Sequence, residues 1–324
     1  MSGVLIIKLG ALGDCVQAAG AVADIRAHHP GDRITMLTAP AYAPFWRRCP
    51  DVDAVITDPR APRWRLDALW RLGGRLRAGA FKRVYDLQNS GRTAFYRRFL
   101  LPDAEWSGRA RAATWRAPHP NRAGAATRPP RQRLAAQLAG AGVSVHYTKQ
   151  LAIQWLAEPV AGILAKVNVR HPYVVLLPGS SARGAHKRWP HYPELAQRLM
   201  ATGQTVVTVP GPGEAELCRA VGGIMLGSEA EPLDLGQLAG VLAEAAFVIG
   251  NDSGPSHMAS ALQRPGLALF GPSIDPALTG IESPVFKALQ VPDLAALPVE
   301  TVYALIAERL PDGPVVTDRG RYAR

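Results

Sequence analysis

Short apolar runs alternate with longer segments of helical periodicity along this chain. In the first half, apolar or largely apolar runs at residues 4–7, 34–37, 54–57 and 84–87 alternate with helical patterns at residues 15–28, 42–48 and 66–76. A strand that is covered on both faces is apolar throughout, and a helix between two such strands lets them pair in parallel. The pattern therefore predicts an α/β domain built on a doubly wound parallel sheet.

The same alternation starts again in the second half. Apolar runs at residues 173–177, 205–209, 246–249 and 267–270 are interleaved with helical patterns at residues 192–201, 215–221, 235–245 and 255–262. A helix at residues 132–141 closes the first series. We therefore expect an N-terminal Rossmann-like domain over residues 1–158, a second one over residues 159–300, and a C-terminal helix and tail over residues 301–324. A chain of 324 residues that is 48% hydrophobic is long enough for two full cores.

Polar loops follow three of the predicted strands. They run from Lys8 to Asp14, over residues 178–190, and from Gly250 to His257. The carboxyl ends of neighbouring parallel strands meet at one edge of a sheet, and open α/β sheets bind ligands there. Asp14 lies at or near the start of the next helix, where a carboxylate can either cap the helix or face a ligand. Its position alone leaves both roles open.

The loop that ends at His257 predicts an anion site. Pro255 suits the first position of a helix, and Asp252 or Ser253 is the expected N-cap. The first N–H groups of such a helix could bind a diphosphate, with the Ser256 hydroxyl and His257 as further donors. An ordinary capped helix is the alternative that this stretch alone leaves open.

Several other kinds of site are disfavoured. The sequence contains neither the G-x-G-x-x-G dinucleotide fingerprint nor a G-x-x-x-x-G-K-[ST] phosphate loop. Cys15, Cys49 and Cys218 are scattered without C-x-x-C spacing, so we expect buried, reduced thiols rather than a zinc site or disulfides. Asp51 and Asp53 follow a proline just before a strand, so we expect turn residues and no metal site.

Positive charge is concentrated in one part of the chain. The net charge is +11, and residues 60–133 hold 18 of the 37 Lys and Arg residues but only 4 of the 26 Asp and Glu residues. Residues 104–133 show no sustained period, which predicts a long surface segment. Its arginines, with Trp106 and Trp115, suit the binding of an acidic sugar or a nucleic acid. A solvated basic face is the alternative.

Three separated motifs coincide with those of one known family. They are Lys8-Leu9-Gly10-Ala11-Leu12-Gly13-Asp14, Pro178-Gly179-Ser180-Ser181 through Lys187-Arg188-Trp189-Pro190, and Gly250-Asn251-Asp252-Ser253-Gly254-Pro255-Ser256-His257 with Phe270-Gly271-Pro272. In these motifs the chain resembles glycosyltransferase family 9, the heptosyltransferases of lipopolysaccharide assembly. The resemblance implies a GT-B fold, in which two Rossmann-like domains face a central cleft. It also implies an inverting, metal-independent transfer of a heptose or related sugar from ADP-heptose to a lipopolysaccharide core or similar anionic glycan.

The resemblance further implies roles for individual residues. Asp14 matches the candidate general base, and Lys187 matches the contact to the donor phosphates. The residues expected at the donor are Ser180, Ser181, Lys187, Glu214, Glu216, Asp252, Ser253, Gly254, Ser256 and His257. The residues expected at the acceptor, from the first motif and the Arg-rich segment, are Lys8, Gly13, Arg109, Arg111, Arg116 and Arg122.

Two other classes of protein remain open at this point. One is a nucleotide-sugar epimerase or an oxidoreductase on a similar fold, although the dinucleotide fingerprint is missing. The other is a non-catalytic protein that binds nucleic acid or another anion, although aromatic residues among the arginines are sparse. The expected partners are a nucleotide sugar and an anionic glycolipid acceptor, with no cofactor and no nucleic acid. Because no early apolar run approaches the ~18 residues of a spanning helix, we expect a cytoplasmic protein that can contact the inner face of the membrane.

Overall fold

The chain folds into two compact units, each built on one six-stranded sheet. The computed structural model describes residues 3–117, 128–150, 152–180 and 182–310. The first unit comprises Met1–Leu156 and Ala277–Gly280, and the second comprises Ala157–Pro276 and Ile281–Arg324.

The first unit alternates strands and helices as the apolar pattern predicts. Its strands are β1 (Gly3–Ile7), β2 (Arg33–Thr38), β3 (Ala54–Thr57), β4 (Phe81–Asp86), β5 (Glu105–Gly108) and β6 (Trp115–Arg116). Its helices are α1 (Leu12–His28), α2 (Ala43–Arg47), α3 (Leu66–Ala78), α4 (Gly91–Phe99) and α5 (Pro130–Gly140). The strand order is β3-β2-β1-β4-β5-β6, and every pair is parallel.

The central strand β1 carries the core of this unit. Its residues from Val4 to Ile7 are at most 1% exposed, which explains why they read as an unbroken apolar run. After β1 the chain passes closely over Tyr42. Gly10 has a φ of +113°, and a Cβ atom there would lie 2.0 Å from the Tyr42 ring. Only glycine fits this position, so it sets the path of the loop that leads into α1.

The segment over residues 104–133 is more regular than the sequence predicts. Its described parts include β5, β6 and the first residues of α5, while residues 118–127 lie outside the described part of the chain. The prediction that Trp106 is a surface stacking residue is wrong, because Trp106 is fully buried in the core. Trp115 is half-buried, and the Arg83 guanidinium lies 4.1 Å from its ring centroid. Two- and four-residue strands are too short to establish an apolar period, which explains the error.

The second unit is built from the same kinds of element. Its strands are β7 (Tyr173–Leu177), β8 (Thr205–Thr208), β9 (Ile224–Met225), β10 (Phe247–Asn251), β11 (Gly266–Phe270) and β12 (Phe286–Gln290). Its helices are α6 (Ala161–Lys166), α7 (Tyr192–Ala201), α8 (Ala215–Val221), α9 (Leu235–Glu244), α10 (Gly254–Ala261) and α11 (Val299–Ala307). The strand order is β12-β11-β10-β7-β8-β9, again with every pair parallel.

The two sheets have the same topology. Counted from the first strand of each unit, both follow the order 3-2-1-4-5-6. The order reverses between β1 and β4 in the first sheet and between β7 and β10 in the second. In doubly wound folds, ligands bind in the crevice at the carboxyl ends of the strands beside this reversal. The prediction of two Rossmann-like parallel sheets is confirmed, and a ligand site is expected beside the reversal in each sheet.

The three cysteines agree with the prediction, since Cys15, Cys49 and Cys218 are all buried free thiols. Among the helices of the described residues, none is both long and apolar enough to cross a membrane.

Candidate functional site

A cavity of about 200 Å³ lies at the reversal point of the first sheet. Its wall is formed by residues that follow β1, β4, β5 and β6 and by residues of α1 and α5. They are Lys8, Asp14, Gln17, Leu87, Gln88, Asn89, Arg109, Ala117, Arg128, Pro130, Arg133, Leu134, Ala136 and Gln137. The cavity therefore brings together residues that lie up to about 130 positions apart in the sequence.

Asp14 presents a carboxylate in this wall. Its side chain is 49% exposed, and its Oδ1 lies 3.9 Å from the Lys8 ammonium. Its Oδ2 accepts a hydrogen bond of 3.2 Å from the N–H of Ala11. The N-cap of α1 is Ala11, so Asp14 is not itself the N-cap. It lies in the first helical turn, where a carboxylate also interacts well with the helix dipole. The buried Lys8 ammonium donates to the carbonyl oxygen of Leu87 at 3.4 Å.

A buried carboxylate organises the turn after β4. Asp86 is 1% exposed, and its Oδ1 accepts hydrogen bonds from the N–H groups of Gln88 (3.1 Å) and Asn89 (2.8 Å). Burial raises the pKa of Asp86 to about 6, and the hydrogen bonds from the turn only partly offset this effect. Asn89 adopts a left-handed backbone conformation, with a φ of +53°. The turn places both Gln88 and Asn89 in the cavity wall.

The same turn holds Arg109 in place. The Oδ1 atom of Asn89 accepts a hydrogen bond from the Arg109 N–H at 2.7 Å, and the Arg109 guanidinium donates to the Asn89 carbonyl oxygen. Gln137 of α5 accepts from the Asn89 amide at 2.8 Å. Its own amide donates to the carbonyl oxygens of Asp86 (3.0 Å) and Ser107 (3.2 Å). These bonds join the turn after β4, the end of β5 and α5, so they fix the position of Arg109.

The charge of the cavity wall is strongly positive. Among its described lining residues, Lys8, Arg109, Arg128 and Arg133 are basic, and Asp14 is the only acid. A guanidinium binds carboxylate or phosphate groups in a bidentate manner. The wall is therefore suited to a ligand with acidic groups and a hydroxyl near Asp14.

The remaining acceptor residues expected from the sequence lie elsewhere. Gly13 is in the first turn of α1 but does not line the described cavity. Arg111 and Arg116 are exposed and do not line it either. Arg122 lies outside the described residues.

The second unit carries a charged cluster at its own reversal point. Asp252 follows β10, and its Oδ2 lies 2.5 Å from the Lys187 ammonium. His257 Nε2 lies 3.7 Å from the other carboxylate oxygen. Burial opposes ionisation of Asp252, but the interaction with His257 and the ion pair with Lys187 outweigh it and lower the pKa of the carboxyl. The folded chain thus brings Lys187 of one motif together with Asp252 and His257 of another.

Asn251 joins the two loops of this site. It is fully buried, and its side-chain oxygen accepts hydrogen bonds from the Trp189 N–H (3.1 Å) and the Tyr192 hydroxyl (3.2 Å). Its amide donates to the carbonyl oxygen of Pro178 at 2.9 Å. Trp189 is itself buried and donates through its ring N–H to the carbonyl oxygen of Leu297. Asn251 therefore fixes the loop after β7 relative to the loop after β10.

Glu214 and Ser180 are held by Arg188. The Arg188 guanidinium donates to the Ser180 hydroxyl (3.1 Å) and carbonyl (3.0 Å), and it lies 3.7 Å from a Glu214 carboxylate oxygen. The Ser180 hydroxyl donates to the carbonyl oxygen of Gly184 at 2.8 Å. A Cβ atom at Gly179 would lie 2.0 Å from the Glu214 carboxylate, so this close approach requires glycine.

The remaining donor residues expected from the sequence lie in different environments. Ser253 is the N-cap residue of α10, and Gly254 begins the helix. Ser256 is fully buried, and its hydroxyl donates to the Asn251 carbonyl oxygen at 2.6 Å. Glu216 is exposed and pairs with Arg219. Ser181 lies outside the described residues.

Asp53 has a structural use. Its Oδ2 accepts hydrogen bonds from the Ile34 N–H at 2.7 Å and from Arg26. This carboxylate therefore joins the start of β3 to β2, in keeping with a turn residue. Within the described part of the chain, no group of three or more His, Cys, Asp or Glu side chains is arranged to hold a metal ion.

Comparison with known proteins identifies the family. The family model of glycosyltransferase family 9 (heptosyltransferase) matches residues 69–293. Lipopolysaccharide heptosyltransferase 1 of Pseudomonas aeruginosa is 30% identical to this chain over 304 residues, which cover 86% of this chain and 80% of that protein. The chain belongs to glycosyltransferase family 9. It is therefore a glycosyltransferase, which decides against an epimerase and against a binding protein without chemistry.

Solved structures of similar proteins show the fold. The structure of the Escherichia coli ADP-heptose LPS heptosyltransferase II aligns with a TM-score of 0.73 at 20% identity, over 95% of this chain and 98% of that one. The structure of the E. coli heptosyltransferase WaaC with ADP aligns with a TM-score of 0.71 at 21% identity, over 95% of this chain and 99% of that one. These likenesses confirm the predicted GT-B fold of this family-9 member.

Several residues of the sites were missed by the sequence analysis. Asn89 and Gln137 lie in no recognisable motif, and their role depends on contacts between distant segments. Arg128 and Arg133 belong to the Arg-rich segment, so the local charge excess was the only signal for them. Asn251 lies inside a family motif, but its burial shows that it orders the loops rather than facing a ligand.

Proposed function

We propose that this family-9 enzyme transfers a heptose from ADP-heptose to an anionic sugar of a lipopolysaccharide core, with inversion at the anomeric carbon and without a metal ion. We further propose that it does so at the inner face of the cytoplasmic membrane. The first unit would bind the acceptor and the second the donor. The observation that carries the proposal is that Asp14 is the one acid beside four basic residues among the described residues of the cavity wall.

The acceptor assignment rests on the chemistry of the cavity wall. Lys8 and Arg109 provide fixed positive charge, and Arg128 and Arg133 add two more guanidinium groups. Core sugars that carry carboxylates or phosphates offer the matching negative charge. Asp14, with half of its side chain exposed, can receive the proton of an acceptor hydroxyl that binds beside it.

The donor assignment rests on the second reversal point and on the relatives. The name of one relative of solved structure specifies ADP-heptose, and the structure of another contains ADP. In this chain Lys187 supplies a cation, and α10 directs the N–H groups of its first turn toward the same edge of the sheet. Glu214 lies close to Gly179 and Gly211, where a carboxylate could accept hydrogen bonds from ribose hydroxyls.

The proposed reaction is a single displacement. The acceptor hydroxyl oxygen forms a bond to the anomeric carbon while its proton passes to the Asp14 carboxylate. The bond from the anomeric carbon to the diphosphate oxygen breaks on the opposite face, and ADP leaves with the electron pair. Lys187 and the positive end of α10 stabilise the charge that develops on the diphosphate. Because these groups provide the positive charge, the mechanism assigns no step to a metal ion.

The test is a transfer assay with a panel of nucleotide sugars. ADP-heptose, UDP-glucose and GDP-mannose are each incubated with truncated lipopolysaccharide cores, and the products are identified by mass spectrometry. We expect a heptose-sized mass increase with ADP-heptose, undiminished by EDTA, and a product linkage of inverted configuration by NMR. Transfer only from another nucleotide sugar, retention of configuration, or a rate that EDTA abolishes and magnesium restores would each contradict the corresponding part of the proposal.

A further inference from the structure

Three large apolar side chains of the first unit are exposed close together in the sequence. The exposed fractions are 79% for Trp64, 72% for Leu66 and 75% for Trp70. None of them lines the described cavity. Large aromatic side chains are rarely left so exposed, and clusters of them mark interaction surfaces. We call Trp64, Leu66 and Trp70, with Arg63, Arg71 and Arg77, the tryptophan face.

The cluster follows from the two sides of α3. One side of this helix is buried through Leu69, Leu72 and Leu76, which repeat at helical spacing. Leu66 and Trp70 are four residues apart and so lie side by side on the exposed surface. The apolar stripe of α3 is already packed against the core, so the fold does not require the exposed Trp70.

Contacts within the unit hold this region in place. The Arg75 guanidinium donates to the carbonyl oxygen of Thr57 at 2.8 Å, which anchors α3 to the end of β3. The Arg63 guanidinium lies 5.8 Å from the ring centroid of Phe95 in α4. The segment that leads into α3 is thereby packed against a neighbouring helix and presents Trp64 to solvent.

The charge around these side chains is positive. Residues 60–78 contain six arginines and one acid, Asp67. Asp67 is paired with Arg65 at 3.0 Å and with Arg71 at 2.5 Å, both in exposed positions. Arg63 and Arg77 are exposed as well. The tryptophan face therefore combines exposed indole rings with a surplus of cations.

We propose that the tryptophan face docks this enzyme on an anionic lipid bilayer. Indole rings prefer the boundary between headgroups and acyl chains, and arginines are attracted by anionic headgroups. A helix with apolar and cationic side chains on its outer surface fits that boundary. A second copy of the chain would bring the same positive surface against itself, which charge repulsion opposes. The inference rests on the proposed function in one respect, because a glycolipid acceptor lies in such a bilayer.

The test measures binding of the full chain to vesicles by sedimentation. We expect the wild type to bind vesicles of phosphatidylethanolamine and phosphatidylglycerol far more tightly than vesicles of phosphatidylcholine. Trp64→Ser with Trp70→Ser should weaken binding to the anionic vesicles by about ten-fold or more, because two interfacial anchors are lost. Arg63→Gln with Arg77→Gln should weaken it mainly at low salt.

Matched controls separate this surface from general effects. Met200→Ser with Leu305→Ser removes two exposed apolar side chains of the second unit, 41% and 49% exposed, and should leave vesicle binding unchanged. Arg170→Gln with Arg219→Gln removes two exposed arginines of the same unit and should also have little effect. Lipids with brominated chains should quench tryptophan fluorescence in the wild type and much less in the tryptophan variant.

The outcomes distinguish this inference from the proposed function. With a delipidated, soluble acceptor the tryptophan variant should transfer sugar at the wild-type rate, and only transfer to vesicle-embedded acceptor should fall. Binding of the wild type to neither kind of vesicle overturns the docking inference even if sugar transfer is normal. It is also overturned if the variants change only oligomeric state in size-exclusion chromatography or only oligonucleotide binding. Absence of any sugar transfer, with vesicle binding intact, contradicts the proposed function alone.

Discussion

At the scale of single residues, the two carboxylate oxygens of Asp14 have different partners. One oxygen accepts the Ala11 N–H and so supports the start of α1, and the other faces the Lys8 ammonium at 3.9 Å. Asp14 is also one of the residues that line the cavity. A helix-supporting role and a proton-accepting role therefore coexist in one side chain, and a substitution that keeps the first can isolate the second.

Asp14→Asn makes this separation. The Asn side-chain oxygen can still accept the Ala11 N–H, so the melting temperature should change little. It cannot take up the acceptor proton, so turnover should fall by about 10²- to 10⁴-fold. Affinity for ADP, measured by calorimetry, should stay near that of the wild type. A stable variant with nearly full turnover would leave Asp14 a purely structural residue.

Lys187 can be examined in the same way at the donor. Lys187→Ala should weaken ADP binding by roughly 10- to 100-fold, since a charge-assisted contact is worth about 1.5–3 kcal/mol. The loss of ADP affinity should be somewhat larger still, because Asp252 no longer has the Lys187 ammonium at 2.5 Å and its carboxylate repels phosphate. Lys166→Ala removes an exposed lysine of the same unit and serves as the control. If calorimetry gives equal ADP affinities for both variants and the wild type, Lys187 does not contact the phosphates.

The sequence predicts some of these residues and misses others for a physical reason. Asp14 and Lys187 stand in motifs whose order along the chain can be recognised without a structure. Asn89 and Gln137 are 48 residues apart, and their hydrogen bond of 2.8 Å exists only because β4 and α5 meet in the folded unit. A contact of that kind leaves no local pattern in the sequence.

At the scale of elements, the turn between β4 and α4 determines much of the cavity wall. Its buried Asp86 orients Gln88 and Asn89, and Asn89 in turn positions Arg109. The largely apolar stretch of residues 84–87 predicts the strand, but it does not indicate that Asp86 within it is buried. Likewise β5 and β6 escape prediction because they are so short, and with them the burial of Trp106.

The buried acid gives stability a defined dependence on pH. The pKa of Asp86 is about 6 in the folded chain and ~3.9 in the unfolded chain. Its contribution to the free energy of unfolding is therefore fully present below pH ~4 and is lost as the pH rises through 6. Relative to Asp86→Asn, the wild type should lose about 2–3 kcal/mol of unfolding free energy between pH 4 and pH 7.

Denaturant unfolding of both proteins across this range measures the effect. Asp103→Asn, which removes an exposed carboxylate of the same unit, controls for the loss of one charge. Parallel stability curves for the wild type and Asp86→Asn would show that Asp86 does not titrate in this window.

At the scale of the whole molecule, the two units share one sheet topology but differ in the charges at their proposed ligand sites. Both sheets follow the order 3-2-1-4-5-6; the alternating pattern of strands and helices predicts doubly wound parallel sheets but not this order. The described wall of the cavity in the first unit has several basic residues and one acid, whereas the cluster of the second unit pairs Lys187 with the largely buried Asp252. The two proposed ligands should therefore respond differently to salt.

Salt should weaken acceptor binding more than nucleotide binding. The Debye length falls from about 10 Å at 0.1 M to about 3 Å at 1 M, and this screens exposed charges more than buried ones. Affinities for ADP and for a delipidated acceptor, each measured over this range, should give the steeper slope for the acceptor. Equal slopes would favour a basic region that only maintains solubility.

Residues 277–280 have a consequence for how the protein is made. They belong to the first unit, although most of the second unit precedes them in the chain. Gln17 and Arg131 both donate to the carbonyl oxygen of Gly280, at 3.0 Å and 3.4 Å. A ribosome synthesises the chain from its N-terminus, and early domains usually fold while later ones are still being added. Here the first unit can form its sheet early, but it acquires its last hydrogen bonds only after Gly280 has emerged. Its maturation is thereby tied to the synthesis of residues 157–276 of the second unit, which precede these hydrogen bonds in the chain.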